Sequence, residues 1–141
     1  MSKLLLMKVF PFSTLSCISA FFFLISAGAV SQTPFITTWK TDNPGTSNST
    51  SITIPTNGAG YNYDVDWDND GVFDESVLSG SVTHDYGVIE TPTIRIRGNY
   101  DSIRFGNGGD MEKIISLDQW GTQSWSTMSW AFAGASNLTV P

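Results

Sequence analysis

Residues 61–68 read YNYDVDWD, and this strict alternation constrains the fold more than any other stretch of the chain. Successive side chains of an extended strand point to opposite faces, so Tyr61, Tyr63, Val65 and Trp67 share one face and Asn62, Asp64, Asp66 and Asp68 the other. A helix, with its period of 3.6, mixes the two sets. The pattern therefore predicts a half-buried strand at the centre of a core rich in aromatic rings.

The rest of the chain follows the same style. Residues 35–40 (FITTWK) and 51–54 (SITI) are β-branched and aromatic, and residues 81–86, 92–98, 102–105 and 114–117 are further strand candidates. In 92–98, Ile94 and Ile96 fall on one face, with Thr93, Arg95 and Arg97 opposite. Turn signals separate the segments: Asn43-Pro44-Gly45, Asn57-Gly58-Ala59-Gly60 and Gly106-Asn107-Gly108-Gly109. The period changes only after Trp125, where Met128, Phe132 and Ala135 at helical spacing predict one short helix, with Gly134 and Asn137 as stop signals.

The N-terminus has a different character. Lys3 and Lys8 precede an uncharged apolar run over residues 15–30, LSCISAFFFLISAGAV, which is the order of parts in a secretory signal peptide. Ala27-Gly28-Ala29 and Ala29-Val30-Ser31 are small-residue cleavage sites, and the second leaves Gln32 as the mature N-terminus. The run is shorter than the roughly 20 apolar residues of a spanning helix, so no stable membrane span is expected after cleavage. Cys17, the only cysteine, lies ahead of most of the apolar run, the wrong side for a lipoprotein anchor, and leaves with the signal peptide. The mature chain then has no disulfide and no thiolate. Loss of Lys3 and Lys8 takes Lys+Arg from 7 to 5 against 13 Asp+Glu, a net charge of −8 that disfavours a nucleic-acid partner.

Three features invite a chemical reading. Residues 66–75, DWDNDGVFDE, place carboxylates at positions 1, 3 and 5 of a calcium loop, glycine at 6 and Asp74 at 9, so Asp66, Asp68, Asp70 and Asp74 are candidate ligands of calcium, the one cofactor considered. Position 12 is Val77 rather than glutamate and no helix pattern flanks the loop, which excludes an EF-hand; the alternative is a solvated hairpin turn. His84 beside Asp85 lacks the nucleophile and oxyanion hole of a triad, so no catalytic residue is assigned and His84 reads as a packed strand residue. Trp39 and Trp67 read as core, whereas Trp120, Trp125 and Trp130 fit either core or a platform for sugar rings.

Four segments carry a family resemblance: FITTWKTDNPGTSNS (35–49), YDVDWDNDGVFDE (63–75), VTHDYG (82–87) with TIRIRG (93–98), and ISLDQWG (115–121) followed by WSTMSWAFAGASNL (125–138). Together they resemble the N-terminal part of bacterial BspA-like leucine-rich-repeat surface proteins. In that family the first part is similar to a PKD-type (polycystic-kidney-disease-type) β-sandwich, and a WxxMxxAFxGAxNL stretch opens repeats that stack into a solenoid. The resemblance implies an all-β chain: a signal peptide over 1–31, a small PKD- or Ig-like antiparallel β-sandwich over 32–100, and over 101–141 the incomplete start of the repeat region, a short strand and helix stub of a leucine-rich-repeat-like solenoid. Repeats bury their apolar faces against neighbours, so a lone partial repeat is expected to dock on the β-domain or fray.

The function implied is that of a non-enzymatic module, secreted or on the bacterial cell surface, acting as a spacer or as a binding element toward a host or cell-surface protein or glycan. Its rivals are a glycan- or calcium-dependent adhesion module and the accessory domain of a secreted hydrolase. Mass spectrometry of exported material should find an N-terminus near Gln32, and intact Met1 on the mature protein would contradict the signal-peptide reading.

Overall fold

A computed structural model describes residues 31–140, and the expected signal peptide, with Cys17, lies outside them but for Ser31. The described chain is all-β: β1 (Phe35–Trp39), β2 (Ser51–Ile54), β3 (Asn62–Asp66), β4 (Glu75–Leu78), β5 (Val82–Asp85), β6 (Thr93–Asn99) and β7 (Ile114–Gln119). Five strands form an antiparallel sheet in the order β4-β3-β6-β1-β7, and β2 and β5 form a second antiparallel pair, an arrangement consistent with a β-sandwich. The larger sheet takes its edge strand β7 from beyond residue 100, in the segment expected to open the repeat region.

The alternation of residues 61–68 does what it predicts. Tyr61, Tyr63, Val65 and Trp67 are all buried. Pairing of β3 with β6 sets Val65 opposite Ile96, and pairing of β6 with β1 sets Ile96 opposite Phe35, so three buried side chains cross the sheet in one row. Tyr63 faces Gly98, which has φ +94°; a Cβ there would lie 2.7 Å from the Asn62 carbonyl oxygen, so the close approach of β3 and β6 at this point requires glycine. On the outer face the same register pairs Asp64 with Arg97 and Asp66 with Arg95. Ile52 and Ile54 of β2 close the core from the smaller sheet.

Two expectations are corrected. Residues 102–105 are not a strand, although Ser102, Ile103 and Phe105 are buried. Nor is there a helix after Trp125. Ala131, Ala133, Ala135 and Leu138 each donate their N–H to the carbonyl three residues back, giving successive turns. The carbonyls of Trp130, Ala131 and Ala133 accept instead from the N–H groups of Gly106, Phe105 and Asn107, and Trp130 has a φ of +59°. Long-range bonds to the 105–107 segment thus replace the i→i−4 ladder that the apolar spacing suggests. The segment is docked, not frayed: Ala131 is buried, and Trp125, Phe132 and Leu138 pack against the core.

A buried polar knot ties the smaller sheet to the larger. The Lys113 ammonium, 1% exposed as a residue, donates to the carbonyls of Asn48 (2.6 Å) and Ser51 (2.9 Å) and to the Ser47 hydroxyl (2.7 Å). Asp110 accepts from the N–H groups of Ser47 (2.9 Å) and Thr53 (2.7 Å) and from the Ser47 hydroxyl (2.7 Å). Burial pushes the Asp110 carboxyl up, but the bonds from Ser47 and Thr53 and the charge of Lys113 outweigh it and hold the group below its usual range. A depressed folded-state value contributes stability that is complete above the ordinary carboxylate range and is lost as pH falls through the folded value. The melting temperature should therefore fall on acidification below about pH 4. Asp110→Ala should cost about 1–3 kcal/mol at neutral pH, the scale for leaving the buried Ser47 and Thr53 donors unpaired, and should flatten the acid limb of the stability–pH curve.

Candidate functional site

The loop between β3 and β4 holds the densest group of ionisable side chains in the described chain. Backbone geometry bends it tightly, for Asn69 (φ +62°) and Gly71 (φ +95°) both occupy the left-handed region. Each acid then folds back on the loop's own backbone. Asp66 Oδ2 accepts from Gly71 N–H (2.8 Å), Asp74 Oδ2 from Trp67 N–H (2.8 Å), Asp68 Oδ1 from Asp70 N–H (3.2 Å) and Asp70 Oδ1 from Val72 N–H (2.7 Å).

Three of the four candidate ligands converge. Asp66, Asp68 and Asp74 bring one carboxylate oxygen each to within 4.8 Å of the others, with Asp66 buried and the other two exposed. Asp70 does not join them; its carboxylate turns to the N–H of Val72 and caps the turn. Asp66 also departs from the alternation, since it is 0% exposed although it belongs to the polar set of its strand. The Arg95 guanidinium explains that burial in part. Its Nε lies 3.8 Å from Asp66 Oδ2 and donates to Asn69 Oδ1. Sequence reasoning missed Arg95 and Asn69, although the outward phase of Arg95 in TIRIRG was the available signal.

His84 has structural surroundings. Its ring stacks on Trp67 (centroids 4.6 Å apart, planes at 16°) and meets Tyr86 edge-on, and its Nδ1 is 3.9 Å from Glu75 Oε1, which also accepts from the Trp67 indole (3.1 Å). The Asp85 carboxylate turns to the Thr50 hydroxyl (2.6 Å) and Gly87 N–H (2.9 Å), and these bonds hold it below the usual carboxylate range. The glycine-rich segment 106–109 forms turns against residues 130–133.

The tryptophans divide. Trp39 and Trp67 are core, Trp125 is partly buried with its ring edge-on to Phe35 (5.0 Å), Trp120 is 39% exposed and Trp130 is 56% exposed. Among the described residues no helix is long and apolar enough to cross a membrane. No protein-family model, curated protein or solved structure matches the chain. Thermal unfolding should separate the two kinds of tryptophan: Trp67→Ala is expected to cost about 3–5 kcal/mol. Trp130→Ala should stay within about 1 kcal/mol of the native protein.

Proposed function

We propose that this chain is a non-enzymatic exported module, a PKD-like β-sandwich leading into a solenoid of the BspA-like leucine-rich-repeat kind, which serves at a bacterial surface as a spacer or binding element. The observation that carries this reading is a parallel pairing where the strand pairs among the described residues are otherwise antiparallel. Ser116 of β7 bridges Thr139, with Leu117 N–H on the Thr139 carbonyl (3.0 Å) and Thr139 N–H on the Ile115 carbonyl (2.9 Å). The partners are 23 residues apart, inside the 20–29 residues typical of one leucine-rich repeat. A chain that leaves a strand and returns parallel beside it after one such interval has made one turn of a coil, the unit from which solenoids are stacked. Turns can replace the helix on the return path of such a coil, so the absence of the expected helix stub is compatible with it.

A test is to extend the chain with two further copies of residues 117–139. Nearest-neighbour stacking should raise the melting temperature and retain a single cooperative transition. An unchanged transition, with the added segments cleaved rapidly by protease, would refute the coil reading. The exposure of Trp130 favours glycan as the ligand class, and Trp130→Ala should then abolish retention on a glycan array while the fold survives.

A further inference from the structure

We propose that Asp66, Asp68 and Asp74 form a binding site for a divalent cation of the calcium type that staples the β3–β4 hairpin. Three carboxylates on a surface loop are not a site by themselves; what makes them one is the buried, unpartnered oxygen that Asp66 contributes to the group. Asp66 Oδ1 has no solvent contact and no hydrogen-bond partner, while Oδ2 of the same carboxylate is engaged by Gly71 N–H. A buried carboxylate oxygen without a donor is costly, and a bound cation is the partner that removes the cost.

The electrostatic balance agrees in sign and size. Three carboxylates less the single guanidinium of Arg95 leave two net negative charges in the cluster, those of Asp68 and Asp74 on the exposed side. The donor set is entirely oxygen, since the one histidine of the chain, His84, is stacked on Trp67 and no cysteine lies among the described residues. Oxygen donors in an irregular loop suit calcium, whereas magnesium needs near-ideal octahedral geometry and zinc prefers nitrogen and sulfur. Each acid already gives one oxygen to a loop N–H, so the loop conformation is built before the ion arrives. Asp70, though it stands at a ligand position of the sequence pattern, is outside the site.

The test is a titration of the purified full chain with terbium, read as luminescence excited through tryptophan, because Trp67 stands between Asp66 and Asp68 in the chain and its backbone N–H donates to Asp74. Calcium should displace terbium, and calorimetry with calcium alone should give a dissociation constant of about 10⁻⁴–10⁻³ M, with magnesium roughly tenfold weaker or worse. Asp68→Asn, on an exposed side chain that leaves the fold intact, should weaken calcium by about tenfold or more, and Asp70→Asn by no more than about twofold. Absence of calcium heat and of terbium displacement up to about 10 mM would overturn the site. So would equal losses in the two variants, which would mean diffuse attraction to an acidic surface.

Discussion

The ammonium of Lys113 is the point on which the relation between the two sheets depends. Enclosing a lysine charge costs several kcal/mol unless its donors are met. Here the acceptors are the Asn48 carbonyl and the Ser47 hydroxyl, just before β2, and the carbonyl of Ser51, its first residue, while Lys113 itself leads into β7. The charge is satisfied only when the smaller sheet lies where it does. Burial pushes the ammonium down from its ordinary value, and Asp110 and Asp42 oppose that. Gly45 completes the knot by being small, because a Cβ there would stand 2.5 Å from Asp110 Oδ1 and 2.6 Å from Lys113 Cε.

Around this knot three buried tyrosines, Tyr61, Tyr63 and Tyr100, join the aliphatic core, and their hydroxyls explain the choice. Tyr100 donates to the Pro55 carbonyl (2.6 Å), Tyr63 to the Gly80 carbonyl (2.7 Å) and Tyr61 to the Ser102 carbonyl (2.9 Å). The rings pack with one another at centroid distances of 5.0–6.3 Å. Each tyrosine thus buries a ring between the sheets and fastens a loop with its tip. Burial drives the Tyr100 hydroxyl well above its ordinary value, so it stays protonated and donating. Phenylalanine at these positions would keep the packing and release the loops.

Local pattern made most strands legible, because period-two alternation is a property of the strand itself. It failed where partners far along the chain decide the outcome. Residues 128–135 have helical spacing, yet their backbone groups are claimed by residues 105–107, some 25 positions earlier, which no window on the sequence reveals. β4 escaped notice because Glu75, Ser76 and Val77 show no apolar alternation, and their strand exists through pairing with Tyr63 and Val65. In the acidic loop, spacing correctly marked Asp66, Asp68 and Asp74 as neighbours but could not tell that Asp70 turns away, since that depends on the left-handed conformation of Gly71 and the pull of the Val72 N–H. The burial of Asp66 was hidden for a similar reason: it depends in part on Arg95, reached only through the β3–β6 register.

Trp67 makes the acidic loop an extension of the core. Its ring is 2% exposed and stacked on His84 of β5, its indole N–H is held by Glu75 of β4, and its backbone N–H is held by Asp74. The Tyr86 hydroxyl donates to its carbonyl (3.1 Å). A residue fixed at ring, amide and carbonyl cannot shift without disturbing β4 and β5 together. The carboxylates on either side of it inherit that rigidity, which is why a loop of eight residues, rich in mutually repelling acids, keeps one conformation instead of spreading into solvent. The repulsion is then a standing cost borne by packing around Trp67, and any group that neutralises Asp68 and Asp74 stabilises the β3–β4 hairpin without having to order it first.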